Sequence, residues 1–317
     1  LRASSSRGVS GHREYLGRLW ERFSRAASEN PHAWVRKALS AREITEVTPE
    51  NRYINYPYTK YMNANINVDQ AAAVLMTTEE TARRLGIDPG AWVYPLGGAD
   101  LCDVWNVSRR PRLDASPAIR NASRLALEQA GLDLGDIDFF DIYSCFPSAV
   151  QIAMKEIGIP PDDPRDLTVT GGLAFFGGPG NNYSLHGIAS AAERIRESRS
   201  EKAMVTANGW YITKHSVGIY GGEPPERPWT GQDDSSVQAA IDKEALPEPV
   251  EEAEGDMKVE AYVIRHGRDG SPTLGTVIGR LSDGRRALAH IDADAGALEE
   301  MEDRKSTRLN SSHEDLS

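Results

Sequence analysis

A glycine-rich segment leading into a helix holds the densest set of residues able to do chemistry in this 317-residue chain. Residues 170–196, TGGLAFFGGPGNNYSLHGIASAAERIR, place two asparagines and His186 directly behind five glycines. Glycine permits positive φ and close approach of another group to the main chain. The apolar spacing predicts a helix from Asn182 or Tyr183, whose first-turn N–H groups suit an anion or a developing oxyanion. The alternative is a tight strand-to-helix connection with a buried histidine.

Two further loops follow predicted strands, at the carboxyl ends where α/β sheets place their ligands. They are residues 141–150, DIYSCFPSAV, and residues 207–216, ANGWYITKHS. Cys145 lies near a helix N-terminus, which lowers a thiol pKa and makes it a candidate nucleophile or acid–base group if a histidine is near. An inert buried cysteine is the alternative that the sequence alone favours. The candidate positions in the two loops are Tyr143, Ser144, Cys145, Asn208 and Gly209.

Two other residues of these types are set aside. His215, beside Lys214, is expected in a surface loop. Cys102 has Asp103 next to it, and a neighbouring carboxylate raises a thiol pKa.

Composition excludes several classes of protein. With 39% hydrophobic and 26% charged residues the chain is typical of a globular protein, and no apolar run is long enough to span a bilayer. A net charge of -11 without a basic stripe argues against a nucleic-acid partner. Two cysteines provide neither a disulfide framework nor a metal site, and they favour the cytoplasm. Because the chain starts at Leu1 without a signal segment, we expect a piece of a longer protein.

Helical and strand patterns alternate along the chain, which predicts an α/β layered fold. A loop is expected at residues 50–70. The predicted helices are an apolar stripe from Tyr15 to Ala27 and residues 78–85, 118–130 and 147–157. The predicted strands are residues 71–76, 137–142, 167–170 and 203–207.

The last third of the chain has a different character. Residues 223–256 are rich in Pro, Glu and Asp and are predicted to be an exposed linker. Residues 257–303 are assigned to a small β domain, whose strands near 257–263, 274–278 and 287–291 are separated by turns. Since so short a meander cannot bury its own core, it should pack on the body or be completed by linker residues. Residues 304–317 are polar, predicted disordered, and resemble translated sequencing-adaptor sequence.

Four segments in order resemble the second half of a thiolase. They are residues 55–77, 116–153, 171–189 and 206–220. The chain is similar in particular to the acetyl-CoA acetyltransferases called thiolase-like protein type 1, which carry an additional C-terminal β domain. The resemblance covers residues 53–220, with residues 257–291 matching the added domain. It implies a thiolase-like αβαβα layered fold, with residues 1–94 a remnant of an incomplete N-terminal half and residues 95–222 the C-terminal thiolase domain.

The resemblance also implies a chemistry, Claisen-type acyl transfer between coenzyme A thioesters in lipid metabolism. In such enzymes a cysteine takes the acyl group, a histidine activates it, a second cysteine moves a proton of acetyl-CoA, and oxyanion holes stabilise the enolate. The nucleophilic cysteine loop would lie before Leu1. The coenzyme A thioester is the expected substrate, and no covalently bound cofactor is expected.

Three aligned motifs depart from the family pattern. Tyr143-Ser144-Cys145-Phe146 stands where thiolases have Asn-Glu-Ala-Phe or, in the sterol-carrier-protein-linked branch, His-Asp-Cys-Phe. Gly177-Gly178-Pro179 replaces Gly-His-Pro, and Ala207-Asn208-Gly209 replaces Cys-x-Gly. The resemblance assigns the acid–base role of a cysteine to Cys145, and His186, close in sequence to the missing histidine, is the candidate to replace it. Oxyanion or substrate contacts are assigned to Tyr143, Ser144, Gly177, Gly178, Asn181, Asn208 and Gly209.

Two hypotheses follow for the intact protein. The first is an acyl-CoA acyltransferase with a rearranged site. The second is a thiolase-like subunit that binds an acyl-CoA or a protein partner without condensing anything. A nucleophilic cysteine loop upstream would favour the first. Either a homo-oligomer or another protein partner fits both hypotheses, and the chain alone is expected to show no thiolase turnover.

Overall fold

Helices and strands of both kinds make up the chain, which a computed structural model describes for residues 1–2, 4–5, 7–230, 234–291 and 293–303. The helices are α1 (Val9–Glu29), α2 (Ala41–Thr45), α3 (Glu79–Arg84), α4 (Pro117–Ala130), α5 (Pro147–Ile157), α6 (Gly172–Phe175), α7 (Tyr183–Glu197), α8 (Ser235–Lys243) and α9 (Ala295–Asp303). The strands are β1 (Tyr53–Tyr56), β2 (Tyr58–Thr59), β3 (Tyr94–Cys102), β4 (Phe139–Asp141), β5 (Lys202–Gly209), β6 (Lys214–Gly221), β7 (Met257–His266), β8 (Pro272–Leu281) and β9 (Arg286–Ile291).

The first sheet has the order β3-β6-β5-β4 and forms the centre of an α/β/α sandwich. β4 and β5 are parallel, and β6 is antiparallel to both β3 and β5. Because side chains alternate across a strand, Phe140 and Met204 face the core shared with α4, and Phe139 and Val205 face α7. The layered α/β architecture predicted from the sequence is therefore confirmed.

Strong local signals set the helix ends. Ser116 caps α4 by accepting from the N–H of Ile119, Pro117 takes the first helical position, and Gly131 ends the helix in the left-handed region. The apolar stripe of α1 is buried as predicted, and α5 has the predicted bounds. α7 begins at Tyr183, after a short 3-10 turn at Gly180–Asn182.

The second sheet has the order β2-β1-β7-β8-β9, so the predicted C-terminal meander is completed by two strands from early in the chain. The prediction of a plain loop at residues 50–70 is wrong for these strands. Arg286, buried in β9, also ties the sheet to the body by donating to the main-chain carbonyls of Ser108, Arg110 and Pro111. The C-terminal sheet also has a small buried cluster, in which Ile264 and Val277 pack with Leu298 and Met301 of α9.

Three other predicted segments differ in the structure. Residues 71–76 are extended but exposed and belong to neither sheet, since no strand among the described residues lies beside them. Residues 167–170 form no strand: the carbonyl of Leu167 accepts from the N–H of Ile142, but the N–H groups of Val169 and Thr170 donate to the Asp141 carboxylate. The acidic segment 223–256 contains α8, whose Ile241 is buried against the body. The tail at residues 304–317 lies outside the described residues.

Candidate functional site

A cleft of about 460 Å³ opens at the carboxyl ends of β4 and β5. Tyr143 enters it from the end of β4, Asn208 and Gly209 from the end of β5, and Asn181 from the turn before α7. The structure thus brings together four of the predicted site residues from three loops. The rest of the wall comes from the end of β3, the start of β6, which pairs with the end of β5, and α8. That part of the wall includes Asp100, Cys102, Lys214, His215, Ser216 and Gln238.

Cys145 lies beside the cleft rather than in its lining. Its Sγ is 3.8 Å from Nδ2 of Asn208, which does line the cleft, so the asparagine amide connects the two. Burial raises the pKa of the Cys145 thiol to about 11, and hydrogen bonds from the backbone at the start of α5 and from Asn208 only partly offset that effect. The predicted lowering of the thiol pKa is therefore wrong, because desolvation outweighs the helix N-terminus.

Ser144, next to Cys145, is fully buried and has a structural contact. Its Oγ accepts from the N–H of Leu173 at the start of α6 at 3.1 Å. A Cβ at Gly172 would lie 2.6 Å from that oxygen. Ser144 therefore joins the β4 loop to the glycine-rich segment and has no place in the cleft lining.

Gly177 and Gly178 lie under the chain segment 63–70. Gly177 has φ of 132°, and a Cβ there would lie 2.3 Å from Oε1 of Gln70. Gly178 donates its N–H to the carbonyl of Asn65 at 2.8 Å. Gly177 needs a residue without a side chain because the covering segment leaves no space there. A Cβ at Gly178 would lie 3.3 Å from the carbonyl of Asn65, so this position is tight but less restricted. These glycines serve a close backbone contact, as predicted, but the group that approaches them is the chain itself.

His186 occupies the first turn of α7, as the sequence predicts. Its Nε2 is within 3.1 Å of Asn182 Nδ2, and its ring packs edge-on against Phe176. Burial lowers its pKa, and His32 adds a smaller effect in the same direction. Among the described residues no hydrogen bond joins His186 to Cys145, and His186 is absent from the cleft lining.

A buried carboxylate organises the loop that carries these residues. Oδ1 of Asp141, at the end of β4, accepts from the hydroxyls of Thr168 and Thr170 and from the N–H groups of Val169 and Thr170. Thr170 Oγ1 is in turn 2.7 Å from the hydroxyl of Tyr183 in α7. Burial raises the pKa of Asp141, and the hydrogen bonds to its carboxylate partly offset that increase. The network holds the glycine-rich segment against the sheet.

His215 does not lie where the sequence predicts it. It lies in β6, is 5% exposed, and lines the cleft, with Nε2 3.3 Å from Oδ2 of Asp103. The expectation of a surface loop is wrong. In β6 alternate residues are buried, and His215 falls in the same inward row as Val217 and Ile219. That alternation was visible in the sequence and could have placed the imidazole inside.

The turn before β6 is unusual in its backbone. Trp210 and Ile212 have φ of 57° and 53°, a region that a β-branched residue such as Ile212 seldom adopts. The buried guanidinium of Arg110 holds this turn by donating to the carbonyl of Tyr211 and to Thr213 Oγ1, each at 2.8 Å. Arg110 therefore stabilises this strained turn, which lies between the cleft-lining residues Gly209 and Lys214.

Cys102 also lines the cleft, and its pKa is raised. Burial is the largest cause, and Asp103 contributes less. The predicted direction is confirmed, although the main cause is different. Among the described residues, no group of three or more His, Cys, Asp or Glu side chains is arranged to hold a metal ion. None of the described helices combines the length and apolar character needed to cross a bilayer.

Two protein families match parts of this chain. Residues 99–178 match the family described as thiolase C-terminal domain-like. Residues 236–309 match the thiolase-like protein type 1 additional C-terminal domain.

Curated relatives match part of the chain. A 3-ketoacyl-CoA thiolase of Klebsiella pneumoniae subsp. pneumoniae is 32% identical over 35% of this chain and 26% of its own length. An acetyl-CoA acetyltransferase of Syntrophomonas wolfei subsp. wolfei is 30% identical over 45% of this chain and 34% of its own length. The chain therefore spans about a quarter to a third of the curated relatives it matches.

A solved structure matches nearly the whole chain. It is a monomeric SCP2-thiolase-like protein type 1 from Mycobacterium smegmatis, with 40% identity and a TM-score of 0.87 over 94% of this chain and 64% of that one. The fold is that of a thiolase-like protein. More particularly, the chain belongs to the thiolase superfamily and carries the additional C-terminal domain of the type 1 thiolase-like proteins.

Proposed function

We propose that the protein containing these residues is an acyl-CoA acyltransferase of the thiolase type, and that this chain supplies its acyl-CoA cleft. The observation that carries the proposal is the convergence of Tyr143, Asn181 and Asn208 on one cleft from three separate loops. The cleft volume, about 460 Å³, is in the range of small-molecule sites. The names of the curated relatives, 3-ketoacyl-CoA thiolase and acetyl-CoA acetyltransferase, support the substrate class.

In this proposal the predicted residues have different roles. Asn208 and Asn181 provide amides for the thioester oxygen, and Tyr143 and Gly209 shape the wall beside them. Ser144, Gly177 and Gly178 hold the surrounding loops in place. Cys145 and His186 keep their expected acid–base roles, with Cys145 acting as an un-ionised thiol because its pKa is near 11. Lipid metabolism and the cytoplasm are the proposed setting.

Calorimetric titration with acetyl-CoA and with free coenzyme A tests the cleft. We expect the chain to bind acetyl-CoA and the Asn208→Ala variant to bind it at least about 5-fold more weakly, since a buried amide contact is worth about 1 kcal/mol. Asn121→Ala is the matched control, because Asn121 lies in α4 and donates to its own helix. No binding of either ligand would overturn the proposal.

A second function is favoured by one observation, the missing contact between His186 and the buried thiol of Cys145. In this alternative the protein binds an acyl-CoA or a protein partner, including a second copy of itself, without transferring an acyl group. Acyl transfer by the full-length protein decides between the two functions. If transfer occurs and neither Cys145→Ala nor His186→Ala changes its rate, the acid–base assignment is wrong.

A further inference from the structure

His215 and Asp103 form a buried pair in the cleft wall that the proposed function does not use. Nε2 of His215 is 3.3 Å from Oδ2 of Asp103, and each side chain is 3% exposed. The same carboxylate accepts from the hydroxyl of Ser116 and, through Oδ1 at 3.0 Å, from the N–H of Ala118 in the first turn of α4. The imidazole therefore contacts a carboxylate that α4 holds in place.

At Nε2 the contact is one between charges rather than a formed hydrogen bond, and the negative charge of Asp103 favours a proton on that nitrogen of the imidazole. A carboxylate beside one ring nitrogen keeps the proton on that nitrogen, so the other nitrogen is free to accept one. With Asp103 next to Nε2, the accepting atom of His215 is Nδ1. A buried histidine oriented in this way is the arrangement that general-base catalysis requires.

Two other candidate residues, Cys145 and His186, are less suited to act as a general base in the cleft. Imidazole is the side chain whose charge changes near neutral pH. The thiol of Cys145 is un-ionised at that pH, and His186 lies away from the cleft lining. The other titratable and charged groups around the imidazole are Asp100, Cys102, Asp103, Arg110, Tyr143 and Lys214.

A small hollow continues the cleft inward past His215. Its volume is about 10 Å³, room for one water-sized group, and Asn208 and His215 stand where it meets the cleft. Its inner walls are apolar and include Ile119, Ala153 and Val217. The hollow admits a group no larger than about one water molecule, so it suits only the end of a short acyl chain.

We propose that His215, oriented by Asp103, removes the α-proton of an acetyl thioester bound in the cleft. This inference rests on the proposed function. The C–H bond of the methyl carbon breaks, the proton goes to Nδ1 of His215, and the electron pair moves onto the thioester oxygen to give an enolate. Return of a proton from His215 regenerates the thioester, so the step needs no other reactant.

Proton exchange of acetyl-CoA in D₂O, followed by NMR of the methyl signal, measures this step without acyl transfer. The chain is expected to exchange the methyl protons faster than buffer does. His215→Ala should slow the protein-dependent exchange about 100-fold, as expected for loss of a general base. Added imidazole should restore part of the rate, which a purely structural role of His215 would not allow. His290→Ala is the control, because His290 is exposed on β9.

Asp103→Asn provides a second variant that retains the imidazole. Removing the carboxylate takes away the group that orients the ring, so the exchange rate should fall about 10-fold while acetyl-CoA still binds. Circular dichroism establishes that each variant is folded. If His215→Ala does not fold, His215→Gln and the Asp103→Asn exchange rate decide the question.

Acetyl-CoA binding measured on the same samples separates the two proposals. Without binding, the proposed function fails and this inference fails with it. With binding but no exchange above buffer, or with His215→Ala and Asp103→Asn both exchanging like the unaltered chain, the role of His215 is wrong and the acyl-CoA cleft stands.

Discussion

The carboxylate of Asp141 lies directly against Gly187 of α7. A Cβ at Gly187 would be 2.6 Å from Oδ2 of Asp141 and 3.2 Å from Val205. A helix this close to the strand requires glycine at the crossing point, since any side chain would displace either α7 or the carboxylate. The hydrogen bonds to the other oxygen of Asp141 would move with it.

We expect Gly187→Ala to lower the free energy of unfolding by about 1–3 kcal/mol, the usual cost of overpacking. Gly11→Ala is the matched control, because Gly11 is also helical and no atom lies within 4 Å of its added Cβ. That control should be neutral or stabilising by up to about 1 kcal/mol. Urea denaturation measures both, and equal midpoints for the two variants would contradict the close packing.

Arg286→Ala should detach the C-terminal sheet from the body. The change removes three hydrogen bonds to main-chain carbonyls, two of them buried, and a contact with Glu260, for an expected cost of about 3–5 kcal/mol. Its neighbour Arg285 is the control, since that side chain is 56% exposed and, within the described part of the chain, pairs with Asp283. Thermal unfolding should show a large loss for Arg286→Ala alone, and similar melting of both variants would contradict the assigned role.

Acid should destabilise the protein through His12. Burial lowers the pKa of His12 to about 4, and the positive charges of Arg7, the N-terminus and Arg2 act in the same direction. The unfolded chain takes up this proton near pH 6.5, so between pH 7 and 4 it binds more protons than the folded chain. Stability therefore falls as the pH falls through this window, by up to about 2 kcal/mol at pH 5.

His12→Gln should flatten the pH dependence of the urea midpoint between pH 7 and 5. The exposed His290→Gln serves as the control and should keep the slope of the unaltered chain. An unchanged slope in His12→Gln would show that other groups cause the acid sensitivity.

The two thiols should react at different rates. Burial raises the pKa of Cys145 to about 11 and gives it a negligible thiolate fraction at pH 8, whereas Cys102 lines the open cleft. Iodoacetamide should label Cys102 at least about tenfold faster, as followed by peptide mass spectrometry. Acetyl-CoA should slow the labelling of Cys102. Faster labelling of Cys145 would contradict its buried position.

We expect no acetoacetyl-CoA thiolysis by the chain itself. Gly178 and Ala207 stand where the family pattern has histidine and cysteine. A thiolase assay that follows loss of the acetoacetyl-CoA absorbance checks this expectation. Turnover in proportion to the amount of purified protein would contradict it.

Local signals made much of the fold predictable. Ser116, Pro117 and Gly131 specify both ends of α4 by capping and by backbone conformation, which depend on neighbouring residues alone. The loops carrying Tyr143 and Asn208 were predictable because strand ends in an α/β sheet converge on one edge.

Distant contacts determined what the sequence did not show. Residues 71–76 have the composition of a buried strand, yet a strand also needs a neighbour to pair with. The pKa of Cys145 depends on how much water surrounding loops exclude, which the sequence near residue 145 does not contain. Asp103 and His215 are more than a hundred residues apart, so their contact follows only from the pairing of β3 with β6.

The pairing of β1 with β7 has a consequence for biosynthesis. Tyr56 lies opposite Ile264, so β1 leaves the ribosome about 200 residues before its partner does. Until then the edge of β1 has unpaired N–H and C=O groups that another chain can pair with. A translation product that stops short of residue 257 would keep that edge open, and the C-terminal sheet thus protects a segment made long before it.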